Sequence, residues 1–151
     1  MDLRTSYQGT TKRLDGHGNR TVGILQEAIR AIDADQPSDI YGNGELIKTF
    51  ERKMSDLLGH EDAVFFPSGT MAQQIALRIW SDEQDNRKVA YHPLCHLEIH
   101  EQDGLKKLHG IEPVLVGGAD RLMTFDDVKA LPAVSCLLLE LPQRELGGLL
   151  P

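Results

Sequence analysis

An α/β fold with a mainly parallel sheet is the class this sequence predicts, on three observations. Beyond residue 60, short apolar runs alternate with helical ones in the order β-α-β-α-β-α-β, the pattern of strands joined by crossover helices. The strand-length runs are apolar throughout instead of alternating, as strands covered by helices on both faces must be. The 151 residues, 40% hydrophobic with 14 further glycines, have ordinary globular composition and suffice for one compact domain or one portion of a larger one.

The first 20 residues are rich in Gly, Thr, Arg and Lys without apolar period, and read as an irregular N-terminal arm. From Val22, the positions Ile24, Leu25, Ala28, Ile29 and Ile32 recur at three and four residues, predicting a helix with Thr21 as N-cap. Pro37-Ser38-Asp39 and Gly42-Asn43-Gly44 interrupt it. A second helix, over 45–58, follows through Leu46, Ile47, Phe50, Met54, Leu57 and Leu58, and Gly59 stops it. Strands are then expected at 63–66, 89–91, 113–116 and 134–141, with helices at 70–81, about 97–108, and 124–131. The final strand runs into Gly147-Gly148-Leu149-Leu150-Pro151 with no closing helix, so the chain is expected to continue in a longer protein.

Charge and cysteine usage narrow the function classes. Sixteen Lys plus Arg against 23 Asp plus Glu leave a net charge of -7, with no basic field to gather phosphate backbones or anionic lipid, so no nucleic-acid or membrane partner is expected. Two cysteines, Cys95 and Cys136, make no disulfide framework, no apolar run reaches a membrane span of about 18 residues, and the polar Met1-Asp2-Leu3-Arg4-Thr5-Ser6 start lacks a signal-peptide core. These features predict a soluble, reducing, cytoplasmic setting.

Three stretches could carry chemistry. In the first, an apolar run ending at Phe66 enters Pro67-Ser68-Gly69-Thr70, and Thr70 with Gln73 has capping-box spacing for the following helix. Free N–H groups at such a helix start, beside a glycine and two hydroxyls, can grip a phosphate; the same residues also suit a merely well-capped turn. The second stretch, His92-Pro93-Leu94-Cys95-His96-Leu97-Glu98-Ile99-His100-Glu101, spaces three histidines by four, which invites a metal reading. Pro93 opposes a helix continuous through all three. The other reading puts His92 at a strand end and His96 near the next helix start, where a neutral imidazole can lie against an aromatic cofactor ring. In the third, Glu140, Gln143 and Arg144 cluster just past a buried strand, at the strand end where open α/β sheets bind ligands; a solvated loop with an ion pair fits them too.

Taken in order with Asp39-Ile40-Tyr41-Gly42 before them, these stretches closely resemble the threonine aldolase and β-eliminating lyase family, pyridoxal phosphate enzymes of the aspartate aminotransferase fold (fold type I). Phe66-Pro67-Ser68-Gly69-Thr70-Met71-Ala72 resembles that family's phosphate loop almost residue for residue. The resemblance spans roughly residues 39–151, and residues 21–151 are read as the N-terminal portion of the cofactor-binding large domain. It implies pyridoxal 5'-phosphate as cofactor, Ser68, Gly69 and Thr70 on its phosphate, His96 against its ring and Glu101 as the accompanying acidic residue. It also implies a lyase acting on a small β-hydroxy or β-substituted amino acid, with His96, Gln143 and Arg144 near the reacting groups. The parent would be a homo-oligomer, dimer or tetramer, in which Tyr41 faces the active site or a subunit contact.

Two departures accompany it. Where the family's aldolases carry Glu-Asn-Thr-His-Asn, this chain has Glu140-Leu141-Pro142-Gln143-Arg144, and the Gln143 amide cannot act as acid or base near neutrality. None of the seven lysines matches the family's cofactor-anchoring motif, so the chain is expected to stop before that lysine and to be inactive alone. The runner-up readings are an aminotransferase-like enzyme on the same fold and a non-catalytic or metal-binding α/β module.

Overall fold

The computed structural model describes Gly9 and residues 21–147. The expected arm over 1–20, Gly9 aside, and the tail from Gly148 lie outside the described residues. Two compact units make up the chain, residues 1–63 and 64–151.

The first unit holds the two helices expected there. Helix α1, Val22–Arg30, starts where the Thr21 hydroxyl accepts the Ile24 N–H at 3.3 Å. Helix α2, Glu45–Leu58, ends at Gly59, whose φ of 68° is the left-handed conformation glycine adopts without penalty. Between them, the Asp39 carboxylate accepts the N–H groups of Gly44 (2.7 Å), Asn43 (3.1 Å) and Tyr41 (3.2 Å). Those bonds, Gly44's foremost, hold the Asp39 carboxyl below its ordinary range. A Cβ at position 44 would lie 2.8 Å from the Asp39 Oδ2 and would push the carboxylate off the turn it holds.

The second unit is built on a three-stranded parallel sheet of order β2-β1-β3, the sheet class expected. Strand β1, Lys88–Tyr91, lies at the centre; β2, Glu112–Leu115, and β3, Cys136–Leu137, flank it. Alternation along β1 divides the core. Val89 and Tyr91 face a cluster with Leu77, Cys95, Leu97, Leu105 and Ile111, while Ala90 faces Val116 and Met123 on the other side. Helix α3, Gly69–Glu83, with the short α4, His96–Ile99, and α5, Gly104–His109, supply the first cluster. Val128 of α6, Phe125–Lys129, packs against the second.

Three expected elements differ from those observed. Residues 63–66 are not a strand, because they pair with no other strand among the described residues and a strand without a ladder leaves its backbone groups unpaired. The helix expected over 97–108 is two, α4 and α5, broken where Gln102 (φ 50°) and Asp103 (φ 60°) take left-handed backbone. Gly104 then allows α5 to begin against α3, since a Cβ there would sit 3.2 Å from the Gln74 amide. Strand β3 is shorter than 134–141 because β1 turns away at Pro93; the last ladder bond runs from Leu138 N–H to Ala90 O at 2.9 Å.

Helix α6 carries a capping box in which Thr124 and Asp127 bind each other's backbone N–H. Arg121 adds two bonds to Asp127, of 2.6 and 2.8 Å, and these, with Thr124, hold the Asp127 carboxyl far below the usual carboxylate range. A depressed folded-state pKa stabilises the fold fully above the unfolded value and ceases to do so as pH falls through the folded one. Urea denaturation of Asp127→Asn should therefore show a stability deficit at neutral pH that shrinks on acidification; a pH-independent deficit would place the effect elsewhere.

Candidate active site at the strand ends

A cavity of about 570 Å³ opens in the second unit at the carboxyl ends of β1 and β3, within the size range of small-molecule pockets, about 300–1,000 Å³. Gly69, Thr70, Gln73, His96, Glu140 and Arg144 are on its wall.

The start of α3 forms one side. Capping is done by Ser68, not by the Thr70–Gln73 pair the spacing suggested: the Ser68 hydroxyl accepts the Met71 N–H at 3.2 Å. Its own O–H proton has no partner in that bond and stays available to an acceptor. The N–H groups of Gly69 and Thr70 have no hydrogen-bond partner among the described residues, and beyond its own helix turn and chain neighbours none of those residues comes within 4 Å of where a Gly69 Cβ would stand. Two orphan donors and a bare backbone thus face open space at the positive end of a 15-residue helix.

Thr70 is engaged differently from expectation. Its hydroxyl donates to Glu101 Oε1 at 2.9 Å, so in this arrangement its backbone N–H, not its hydroxyl, is free for a ligand. The same Glu101 oxygen lies 2.8 Å from His96 Nε2, which assigns that nitrogen the ring proton. Glu101 therefore joins the first turn of α3 to the imidazole, 31 residues from Thr70 along the chain. His100 stands beside His96 with ring centroids 5.0 Å apart and planes tilted by 41°.

His92 turns away from both. Leu94 N–H donates to its Nδ1 at 3.1 Å, and its Nε2 faces the carbonyls of Arg121 (2.9 Å) and Gly118 (3.1 Å). His100 pairs with Glu145 at 3.1 Å, a bond that holds the Glu145 carboxyl below its ordinary range. The three evenly spaced histidines thus serve three separate partners, and among the described residues no group of three His, Cys, Asp or Glu converges as metal ligands.

The third stretch separates into different roles. Arg144 lies on the cavity wall, its side chain 70% exposed and only loosely paired with Glu145 at 3.6 Å. Gln143, expected near the substrate, is instead 2% exposed, with its amide bonded to Leu94 O, Glu140 and the Leu146 N–H. Glu140, which sequence reasoning saw only as one of a cluster, accepts the His96 N–H at 2.8 Å. A carboxylate capping a helix 44 residues away has no signature in spacing. Tyr41, exposed, belongs to the first unit.

A parallel sheet with a polar cavity at its carboxyl strand ends, and a bare helix start opening into it, has the build of an α/β small-molecule-binding domain. The chain belongs to the β-eliminating lyase family, whose profile matches residues 19–135. It is 68% identical, with a TM-score of 0.85, to a solved structure from Exiguobacterium sp. 255-15 provisionally named an aromatic amino acid beta-eliminating lyase/threonine aldolase. Against one from Listeria monocytogenes, provisionally named an L-allo-threonine aldolase, identity is 62% and TM-score 0.84. Each likeness covers 99% of this chain and 42% of the other. Low-specificity L-threonine aldolase 1 of Arabidopsis thaliana is 28% identical over 97 residues, 64% of this chain and 26% of that protein. The chain thus spans less than half the length of these relatives. Among the described residues no helix is long and apolar enough to cross a membrane.

Cys95, at the N-cap of α4, is 1% exposed, and burial, reinforced by the Glu140 carboxylate, pushes its thiol up to about 11. It should resist a thiol-specific reagent in the folded chain near neutral pH and react once urea unfolds it. Rapid labelling of Cys95 before unfolding, read by peptide mass spectrometry, would contradict this burial.

Proposed function

We propose that the chain carries the phosphate and ring side of the cofactor site in a pyridoxal 5'-phosphate-dependent lyase that cleaves a small β-hydroxy or β-substituted amino acid. One observation carries the reading: the bare start of α3 and the imidazole of His96 lie on the wall of the same cavity, and Glu101 links them. Family membership and the relatives' names support it.

The residues present fit the group. A phosphate monoester needs converging neutral donors and positive potential, which the N–H groups of Gly69 and Thr70, the Ser68 hydroxyl and the helix dipole supply. A flat aromatic ring needs a flat neighbour, which His96 supplies. When bound, the cofactor acts as the electron sink for bond cleavage at the substrate's α-carbon. Around it, Glu101 holds the His96 proton on Nε2 and so fixes the imidazole's tautomer and orientation. Arg144, with donors to spare at the rim, attracts the carboxylate of an amino-acid substrate. The cofactor-anchoring lysine belongs, in this reading, to the part of the relatives that the chain does not span, and the working enzyme is a cytoplasmic homo-oligomer in which Tyr41 faces the active site or a subunit contact.

Titration of the full-length protein with pyridoxal 5'-phosphate should produce a visible absorption band, and His96→Ala should weaken binding by about tenfold, the worth of one good aromatic contact. A protein that stays colourless at saturating cofactor would overturn the reading. Product analysis then distinguishes the reactions. Aldehyde plus glycine, or keto acid plus ammonia, is expected; transfer of the amino group to a second keto acid would make the enzyme an aminotransferase.

A further inference from the structure

Helix α4 is only four residues long, too short to persist on its own hydrogen bonds, and its N-cap residue Cys95 makes no side-chain cap. Its single turn is closed by the Cys95 carbonyl, which accepts the Glu98 and Ile99 N–H groups at 2.9 and 3.2 Å, while the orphan N–H at its start is satisfied from outside: His96 N–H donates to the Glu140 carboxylate at 2.8 Å. Glu140 is in turn held through its other oxygen, which accepts from Gln143 Nε2 at 3.0 Å. That same nitrogen gives its second proton to Leu94 O at 2.9 Å, two residues before His96, while Gln143 Oε1 accepts the Leu146 N–H at 3.0 Å.

A buried amide thus fastens three pieces of chain: the segment entering α4 at Leu94, the stretch just past β3 at Glu140 and the loop beyond it at Leu146. Few other side chains can do this. Glutamate at 143 would present no proton to Leu94 O and would set a second carboxylate beside Glu140. Histidine has one proton per ring nitrogen and cannot serve Leu94 O and Glu140 from a single atom. With 2% of its surface exposed, Gln143 has no free polar atom to offer a substrate.

We propose that Gln143 is a positioning residue that acts through Glu140 to hold the His96 backbone in place, so that this buried amide sets where the imidazole stands, while Glu101 fixes how its ring is turned. The link from His96 to the cofactor rests on the function proposed above; the clamp itself does not.

The test uses the full-length protein labelled with ¹⁵N-histidine, first without cofactor. In Gln143→Leu and in Glu140→Gln, the His96 ring resonances should shift or split into two conformers while those of His60 stay put. Because both act on one path, the double variant should be disturbed no more than the stronger single one. Cofactor affinity should drop by about tenfold in the same variants, the size of one charge-assisted hydrogen bond. Gln143→Glu, which keeps the shape and the bond from Leu146, serves if Gln143→Leu fails to fold. An unmoved His96 signal in a folded Gln143 variant, or additive effects in the double variant, would overturn the clamp. If the ring signal moves as expected and the wild-type protein binds no pyridoxal phosphate, the clamp stands and the functional reading falls.

Discussion

The second unit is governed by one constraint: a strand hydrogen-bonded in parallel on both edges must be covered on both faces. Strand β1 meets it with four residues. Its bulky Val89 and Tyr91 fill the side roofed by α3, α4 and α5, and small Ala90 leaves room on the other for Val116 and Met123. Parallel pairing also requires every connection to cross back over the sheet, so the carboxyl ends of β1 and β3 emerge on the same edge. The cavity and its polar residues lie where those ends release the chain.

Much of this was legible in the sequence where physics acts over short range. Apolar periods located α1, α2 and α3 to within a residue or two, because amphipathic spacing and caps such as Thr21 and Gly59 are local devices. The parallel sheet followed from uniformly apolar runs. Ser68, Gly69, Thr70 and His96 stood out because a strand-to-helix turn and a histidine after proline are visible in a few letters.

What stayed hidden depends on partners distant in sequence. Residues 63–66 have strand composition, yet composition does not supply a neighbour. The break between α4 and α5 rests on two non-glycine residues in left-handed backbone, a conformation that tertiary packing selects and propensity disfavours. Glu140 and Gln143 drew notice because a strand end is where ligand-binding groups gather, but their bonds to the segment 44 to 49 positions earlier have no signature in spacing. Equal spacing of His92, His96 and His100 suggested one shared ligand; the chain's turn at Pro93 gave them three different neighbours.

The brevity of α4 has a consequence for how motion is distributed. Past Lys88, whose N–H goes to the Asn86 side chain, β1 is paired on both edges, and its amides open only when the sheet opens. Those of His96–Ile99 depend on a four-residue turn anchored by side chains. Local opening costs least where few backbone bonds must break together. Amide hydrogen exchange across the second unit should therefore be graded, slow along the central strand and faster in the segment that carries His96.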